Sequence, residues 1–265
     1  MRGTGRLSLT AVAATVRRMS DQSLATVRAV SGTINDLGAR FYFTPETLQR
    51  GKDLGMKNGY CWYVIGRGGV LGDVDAEVVG SAFAYFEPKL MHKLWGQGLA
   101  AMGAREASRE YAECCRAWGR SAFAGEKEAG AFADLAAKVI KRTSSAGMSL
   151  FAGWKAESLG ETDDPAGRAA MAFNVLRELR GCANLVAVVA VGMTPEEAHF
   201  TARGLDDFKQ FGYTEDQAPK ARKALRAKAE RITDQIEARA YQVLTDKEQT
   251  RFATLVRELA KAADS

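Results

Sequence analysis

Apolar and polar positions follow one another along this chain with the period of a helix. After Asp75, the residues Val78, Ala82, Phe83 and Phe86 recur at i, i+4, i+5 and i+8 and draw one apolar stripe. Pro88 then marks a kink or the start of a second helix. Residues 99–123 interleave Ala, Glu and Arg with aromatics at amphipathic spacing, and residues 127–143 set Phe132, Leu135, Val139 and Ile140 on one face. Asp164-Pro165 reads as a cap and first helical residue, opening a helix with Met171, Val175 and Leu179 on one side. Thr194-Pro195-Glu196-Glu197 and Thr44-Pro45-Glu46 share one start signal: a capping hydroxyl, Pro at the first position and acids in the first turn. Thr245-Asp246-Lys247-Glu248 is a capping box ahead of FATLVRELAKAA.

Strand signals are sparse. ARFYF (39–43) and CWYVI (61–65) are short and bounded by Gly, and read as strands or as helix ends. Residues 183–193 (ANLVAVVAVGM) are apolar all round and therefore expected to be buried, with helix and strand both open. The expected fold class is all-α, with at most short strands in less than about a tenth of the chain, arranged as a multi-helix orthogonal bundle. A faint echo pairs Arg67-x-x-x-Leu71-Gly72-Asp73-x-Asp75 with Lys155-x-x-x-Leu159-Gly160-Glu161-x-Asp163, and suggests two pseudo-equivalent lobes. The expected organisation is a flexible basic N-terminal extension (1–23), a helical core (24–213) and a basic helical C-terminal segment packed on it (214–265).

Charge changes this picture only locally. The net charge of +5 is carried by residues 1–28, at +4, and residues 218–231, at +5, which leaves the rest of the chain at −4. The Arg-rich start resembles a transit peptide in composition but lacks the apolar core of a secretory signal, and a translation start at Met19 is the plainer reading. Cys61, Cys114, Cys115 and Cys182 show no C-x-x-C spacing, and with two histidines in the chain no metal site is expected. Reduced thiols and the absence of any run near the ~20 apolar residues that span a bilayer place the protein in the cytoplasm, with no membrane partner expected.

The blocks YFTPETLQRGKDLG, YVIGRGGVLGDVDAEVVGSAFAYFEP, FAGWKAE, VLRELRG, TPEEAH and FGYTED occur in that order between residues 42 and 216, within a resemblance that spans roughly residues 24–260. In this combination the chain resembles an actinobacterial family of predicted winged helix-turn-helix proteins, often labelled SalK-like or EvbL-like. The resemblance implies a DNA-binding ancestry and a setting in specialised metabolism, such as natural product biosynthesis. The chain departs from the family pattern in two places. A histidine common before the YF-x-P-E block is missing around Gly38, and an Arg-Gly-Asp-Gly/Ser-His run reads here Arg180-Gly181-Cys182-Ala183-Asn184-Leu185.

For DNA, the best helix pair is 195–204 with 215–228, where Arg222, Lys223 and Arg226 are placed to meet phosphates. The residues that follow run on in helical character without Gly or Pro, so the β-hairpin wing is expected to be deleted, and Gln217 is the only Asn or Gln between 211 and 228 suited to reading bases. For catalysis, G-x-S-x-G, a G-K-[ST] phosphate loop and H-E-x-x-H are all missing, so no reaction is assigned and no cofactor is expected. Polar residues inside apolar blocks suggest a pocket instead: Tyr42, Arg67, Glu178, Arg180 and His199 as polar contacts for a small apolar or amphipathic molecule held between lobes. Alanine at Arg67 or Arg180 is expected to weaken that ligand without unfolding the protein. Three readings follow. The chain is a small-molecule-binding helical protein (an enzyme or accessory factor), a DNA-binding regulator that dimerises through its C-terminal helices, or a ligand-free interaction module.

Overall fold

The computed structural model describes residues 9–158 and 164–265, with side chains from residue 21 onward. Among them run twelve α-helices, three 3-10 turns and no strand. In chain order these are α1 (Leu9–Leu37), α2 (Pro45–Asp53), α3 (Gly59–Gly68), α4 (Ala76–Phe83), α5 (Pro88–Leu99), α6 (Ala104–Ala122), α7 (Ala129–Arg142), α8 (Ser149–Ser158), α9 (Pro165–Ala190), α10 (Pro195–Gln210), α11 (Lys223–Tyr241) and α12 (Asp246–Ala263). The 3-10 turns are Arg40–Phe43, Gly69–Leu71 and Glu215–Gln217.

The helix starts lie where their capping chemistry puts them. Thr44, Thr194 and Thr245 each accept the amide of the residue three further on, the latter two in complete capping boxes, and Asp164 accepts from the amide of Gly167. Pro88 begins a new helix, because Ala84 turns into positive φ (62°) and ends α4. Both short aromatic segments resolve without strands: ARFYF forms a 3-10 turn, and CWYVI lies inside α3, whose start is capped by Asn58. The β-branched run after Ala183 continues α9 to Ala190, since adding residues to an established helix costs less than nucleating anything else.

Helix α9 is the axis of the bundle. Helices α1, α6, α7, α8 and α11 all pack on it, which explains why its apolar residues circle the helix instead of forming one stripe. Its approach to α6 is close enough that a Cβ on Gly119 would stand 2.5 Å from the Ala170 side chain and 2.6 Å from the Ala166 carbonyl. Phe173 of α9 stacks on Phe132 of α7 at 4.2 Å between ring centroids, and Phe132 meets Phe252 of α12 at 5.3 Å. Such pairs contribute about 0.5–1.5 kcal/mol each beyond simple burial. The helices α11 and α12 lie against α1, α7 and α9, so residues 223–263 share the main core. Buried apolar side chains form one large cluster and one small cluster of Ala187, Val188, Met193, Ala198 and Ala229, where α10 meets α9 and α11, not two clusters of matched size. The second half of the internal echo, at residues 159–163, lies outside the described residues, as do residues 1–8; α1 begins at Leu9, within the stretch expected to be a flexible extension.

Candidate functional site

Between the small cluster and the main core the helices leave a cavity of about 520 Å³. That lies within the size range of small-molecule sites. Its walls come from α3, the end of α4 and the turn after it, α9, α10 and α11. Four of the five residues read as ligand contacts, Arg67, Glu178, Arg180 and His199, reach it from three different helices. The fifth, Tyr42, is buried behind the wall, where its hydroxyl donates to Glu178 (3.2 Å) and accepts from Arg177 (3.0 Å).

The arrangement on α3 and α9 is a bidentate ion pair. Arg67 Nε and Nη2 donate to the two carboxylate oxygens of Glu178 at 2.7 and 2.9 Å, and Arg67 Nη1 donates to the Tyr63 hydroxyl at 2.8 Å. Burial alone would push the Glu178 carboxyl upward, but Arg67 and then Arg177 hold it below the usual glutamate value. The planar guanidinium also lies 4.5 Å over the Phe83 ring. This corrects one expectation from the sequence. Removing Arg67 alone would strand a fully buried carboxylate, so alanine there costs folding stability and not only ligand affinity.

Arg180 points toward α11 and is similarly engaged. It donates to Glu230 (2.9 Å), Asp234 (3.1 Å) and Glu237 (2.7 Å). Glu237 is fully buried, and that burial, only partly countered by Arg180, raises its carboxyl to about 7. His199 owes its position to a break in α10. At Gly204 the backbone takes φ 80° and ψ −172°, and the chain turns so that Asp207 comes back to within 3.0 Å of His199 Nε2. The two are not aligned as a hydrogen bond, and Nε2 is buried without another partner. Burial lowers the His199 pKa more than Asp207 raises it, so the ring is neutral near pH 7. Its face lies 4.4 Å from the Phe211 ring centroid.

The three residues read as phosphate contacts do not form one free surface. Residues 215–228 are not a single helix: a 3-10 turn is followed by extended chain, because Ala218 precedes Pro219 and takes ψ 120°, and α11 starts only at Lys223. Arg222 is tied to Glu197 at 3.1 Å, with its amide on Thr201 at 3.0 Å. Arg226 turns into the cavity against Glu230. Of the three, only Lys223 is exposed with no partner among the described residues.

Other cavity residues carried weaker signals in sequence. Arg177, Tyr85, Asn184, Arg203, Asp207 and Glu230 all line it. Arg177 stood as a charge inside a block of Ala, Val and Leu, which marks a buried pair. Asp207 lies eight residues after His199, about 12 Å along a straight helix, and only the intervening Gly204 hinted that the chain folds back. The stretch from Arg180 to Leu185, where the chain departs from the family pattern noted above, supplies much of the wall. Within it Gly181 faces open space: a Cβ there would meet nothing within 4 Å. Glycine inside a helix costs roughly 0.5–1 kcal/mol relative to alanine, so packing does not explain it. A second hollow of about 340 Å³ between α2 and α6 contains none of the predicted residues.

All four cysteines are free thiols, and among the described residues no group of three or more His, Cys, Asp or Glu is placed to hold a metal ion. No described helix is long and apolar enough to cross a membrane. The model of a helix-turn-helix family matches residues 27–221, about three-quarters of the chain. No curated protein and no solved structure matches.

Proposed function

The chain belongs to the helix-turn-helix family whose model it matches, and from that premise we propose that it is a small-molecule-binding protein whose site is the cavity between α3, α9, α10 and α11. One observation carries this reading. Polar residues far apart in sequence, Arg67, Glu178, Arg180 and His199, converge on a single hollow that also has an aromatic wall of Tyr85, Phe86 and Phe211. Convergent polar groups in a concave site fix a small molecule's orientation, and here polar groups make up the greater part of the wall, with the aromatic patch beside them. The ion pairs Arg67–Glu178 and Arg180–Glu237 hold the walls in place, because each ties an α9 side chain to a neighbouring helix.

A thermal-shift screen of amphipathic small molecules tests the reading. A ligand at a hundred times its Kd adds about 2.7 kcal/mol, which raises Tm by several degrees in a domain of this size. In Gly181→Phe a phenyl ring is added to an exposed point of the cavity wall where a Cβ meets nothing within 4 Å, and every true shift should vanish. Shifts of equal size in that variant would place the ligands elsewhere and end the assignment.

A second reading, DNA binding, is favoured by the family and by one unit of the fold. The eight-residue α4 and twelve-residue α5 pack together across the turn Ala84–Glu87. α5 buries Met91, Leu94 and Trp95 and exposes Lys89, His92 and Lys93, with His92 3.3 Å from Glu77. An exposed second helix is what major-groove entry needs. α3 cannot serve in that way, since Cys61 through Gly66 are all buried. In this reading duplex DNA binds with steep salt dependence, and Lys89→Glu with Lys93→Glu weakens it at least tenfold while Lys223→Glu changes little. Binding lost only with Lys223 would move the contact to α11.

A further inference from the structure

Resting on the cavity reading above, we propose that the ligand is an oxyanion, a carboxylate, sulfonate or phosphate, carried on a flat aromatic body, and that Arg203 receives the charged end. Five arginines reach the cavity, Arg67, Arg177, Arg180, Arg203 and Arg226, against the carboxylates of Glu178, Asp207 and Glu230. Three are committed within the protein. Arg67 takes both oxygens of Glu178, Arg180 takes Glu230, Asp234 and Glu237, and Arg226 lies against Glu230.

The remaining two are under-used, and Arg226, although it lies against Glu230, also keeps a buried Nε with no hydrogen-bond partner among the described residues. Arg177 shares a Glu178 oxygen already held by Arg67 and an oxygen of Tyr42, and its Nε is buried with no acceptor. Arg203 lies on the exposed flank of α10 at the cavity, and among the described residues it makes no hydrogen bond and no ion pair. The neighbouring carboxylate of Asp207 leans on His199 instead. Both Glu230 oxygens are in use, one of them also by Asn184. What the wall leaves open is therefore mainly donors, and cationic ones. Buried charges and donors are costly to leave unpaired, and a guanidinium fork matches an oxyanion in both charge and geometry. A cationic ligand would meet Arg203, which has no ion-pair partner among the described residues.

The aromatic wall, which includes His199 one turn before Arg203 on α10, sets the shape. Phe86 and Phe211 lie 4.4 Å apart between centroids, and Phe211 and His199 also 4.4 Å, tilted by 37° and 45°, a cluster of rings whose edge a planar body can pack against. The anion and the ring then point in fixed directions, which gives the pocket an orientation as well as an affinity.

Two probes with one body separate the terms: anilinonaphthalene sulfonate, and the neutral phenylnaphthylamine that lacks the sulfonate. The full-length protein should bind one equivalent of the sulfonate at least about tenfold more tightly than the neutral probe. Arg203→Ala should bring the two affinities together by weakening only the sulfonate, and Arg203 is exposed, so folding is not at risk. Arg203→Lys should recover part of the loss. Gly181→Phe should abolish both probes. A sulfonate bound no more tightly than its neutral partner, or unaffected by Arg203→Ala, overturns the anion assignment. In that event, neutral-probe binding that is lost in Gly181→Phe leaves the cavity reading standing, and its absence takes both down.

Discussion

Arg67 and Glu178 set the residue scale. Each is held by the other across 111 positions of sequence, and neither has a replacement partner of equal geometry. Arg67→Met should lower unfolding free energy by about 3–5 kcal/mol in urea denaturation, whereas Arg67→Met with Glu178→Leu should cost markedly less than the two single losses added together. Additive losses would mean that the pair does not behave as a unit. Glu237 gives a prediction in pH. Its folded carboxyl is raised to about 7 while the unfolded one titrates near 4.5, so the folded state holds the extra proton between those values. Stability contributed by this group is therefore fully present below pH 4.5 and lost as pH rises to 7, a change of order 2–3 kcal/mol. The groups facing it are Arg180, Asp234, Ser31 and Tyr241. Chemical denaturation of Glu237→Gln at pH 5 and pH 7.5 should show a gap from the parent that shrinks, in the variant's favour, at the higher pH. A gap that does not change would show that burial leaves this carboxyl near its ordinary value. Glu178 acts in the opposite sense: its depressed pKa contributes stability that is lost only as pH falls below about 4.5.

At the scale of elements, capping chemistry was legible in the sequence and long-range contacts were not. Thr44, Asp164, Thr194 and Thr245 announce their helices because a cap is a local arrangement of four residues. CWYVI could not be settled locally, since its β-branched and aromatic residues suit a strand and only the surrounding helices make α3 the buried choice. The helix expected over 215–228 fails for a reason that the sequence did contain, Pro219, whose ring keeps Ala218 extended. Two glycines test how the site elements are built. Gly204→Ala forces a side chain into φ 80° and should cost about 1–3 kcal/mol while pulling Asp207 away from His199. Gly181→Ala, in open helical space, should instead stabilise by about 0.5–1 kcal/mol. Thermal melts of both variants check the pair of signs, and a destabilising Gly181→Ala would mean that the space beside α9 is not open.

For the whole molecule, an all-α bundle followed from periodicity, and the core packs around α9 as a single large cluster. The polar residues placed in a pocket by the sequence do reach one cavity, apart from Tyr42, which stands one layer behind. They were visible because a charge inside an apolar block has to find a partner when it is buried. Which arginines would be saturated was not visible, since Glu230, Asp234 and Glu237 meet Arg180 only through the docking of α11 on α9. Of the six basic residues in 218–231, Arg222 and Arg226 are paired with Glu197 and Glu230 for the same reason, while Lys220, Lys223, Lys228 and Arg231 are exposed. The central claim is that the cavity beside Gly181 holds one small molecule, and native mass spectrometry tests it most directly. Mixed with the best stabilising compound from the screen, the parent protein should carry one equivalent that leaves on denaturation, and Gly181→Phe should fly bare. Equal loading of the two proteins, or several equivalents on each, would contradict the account.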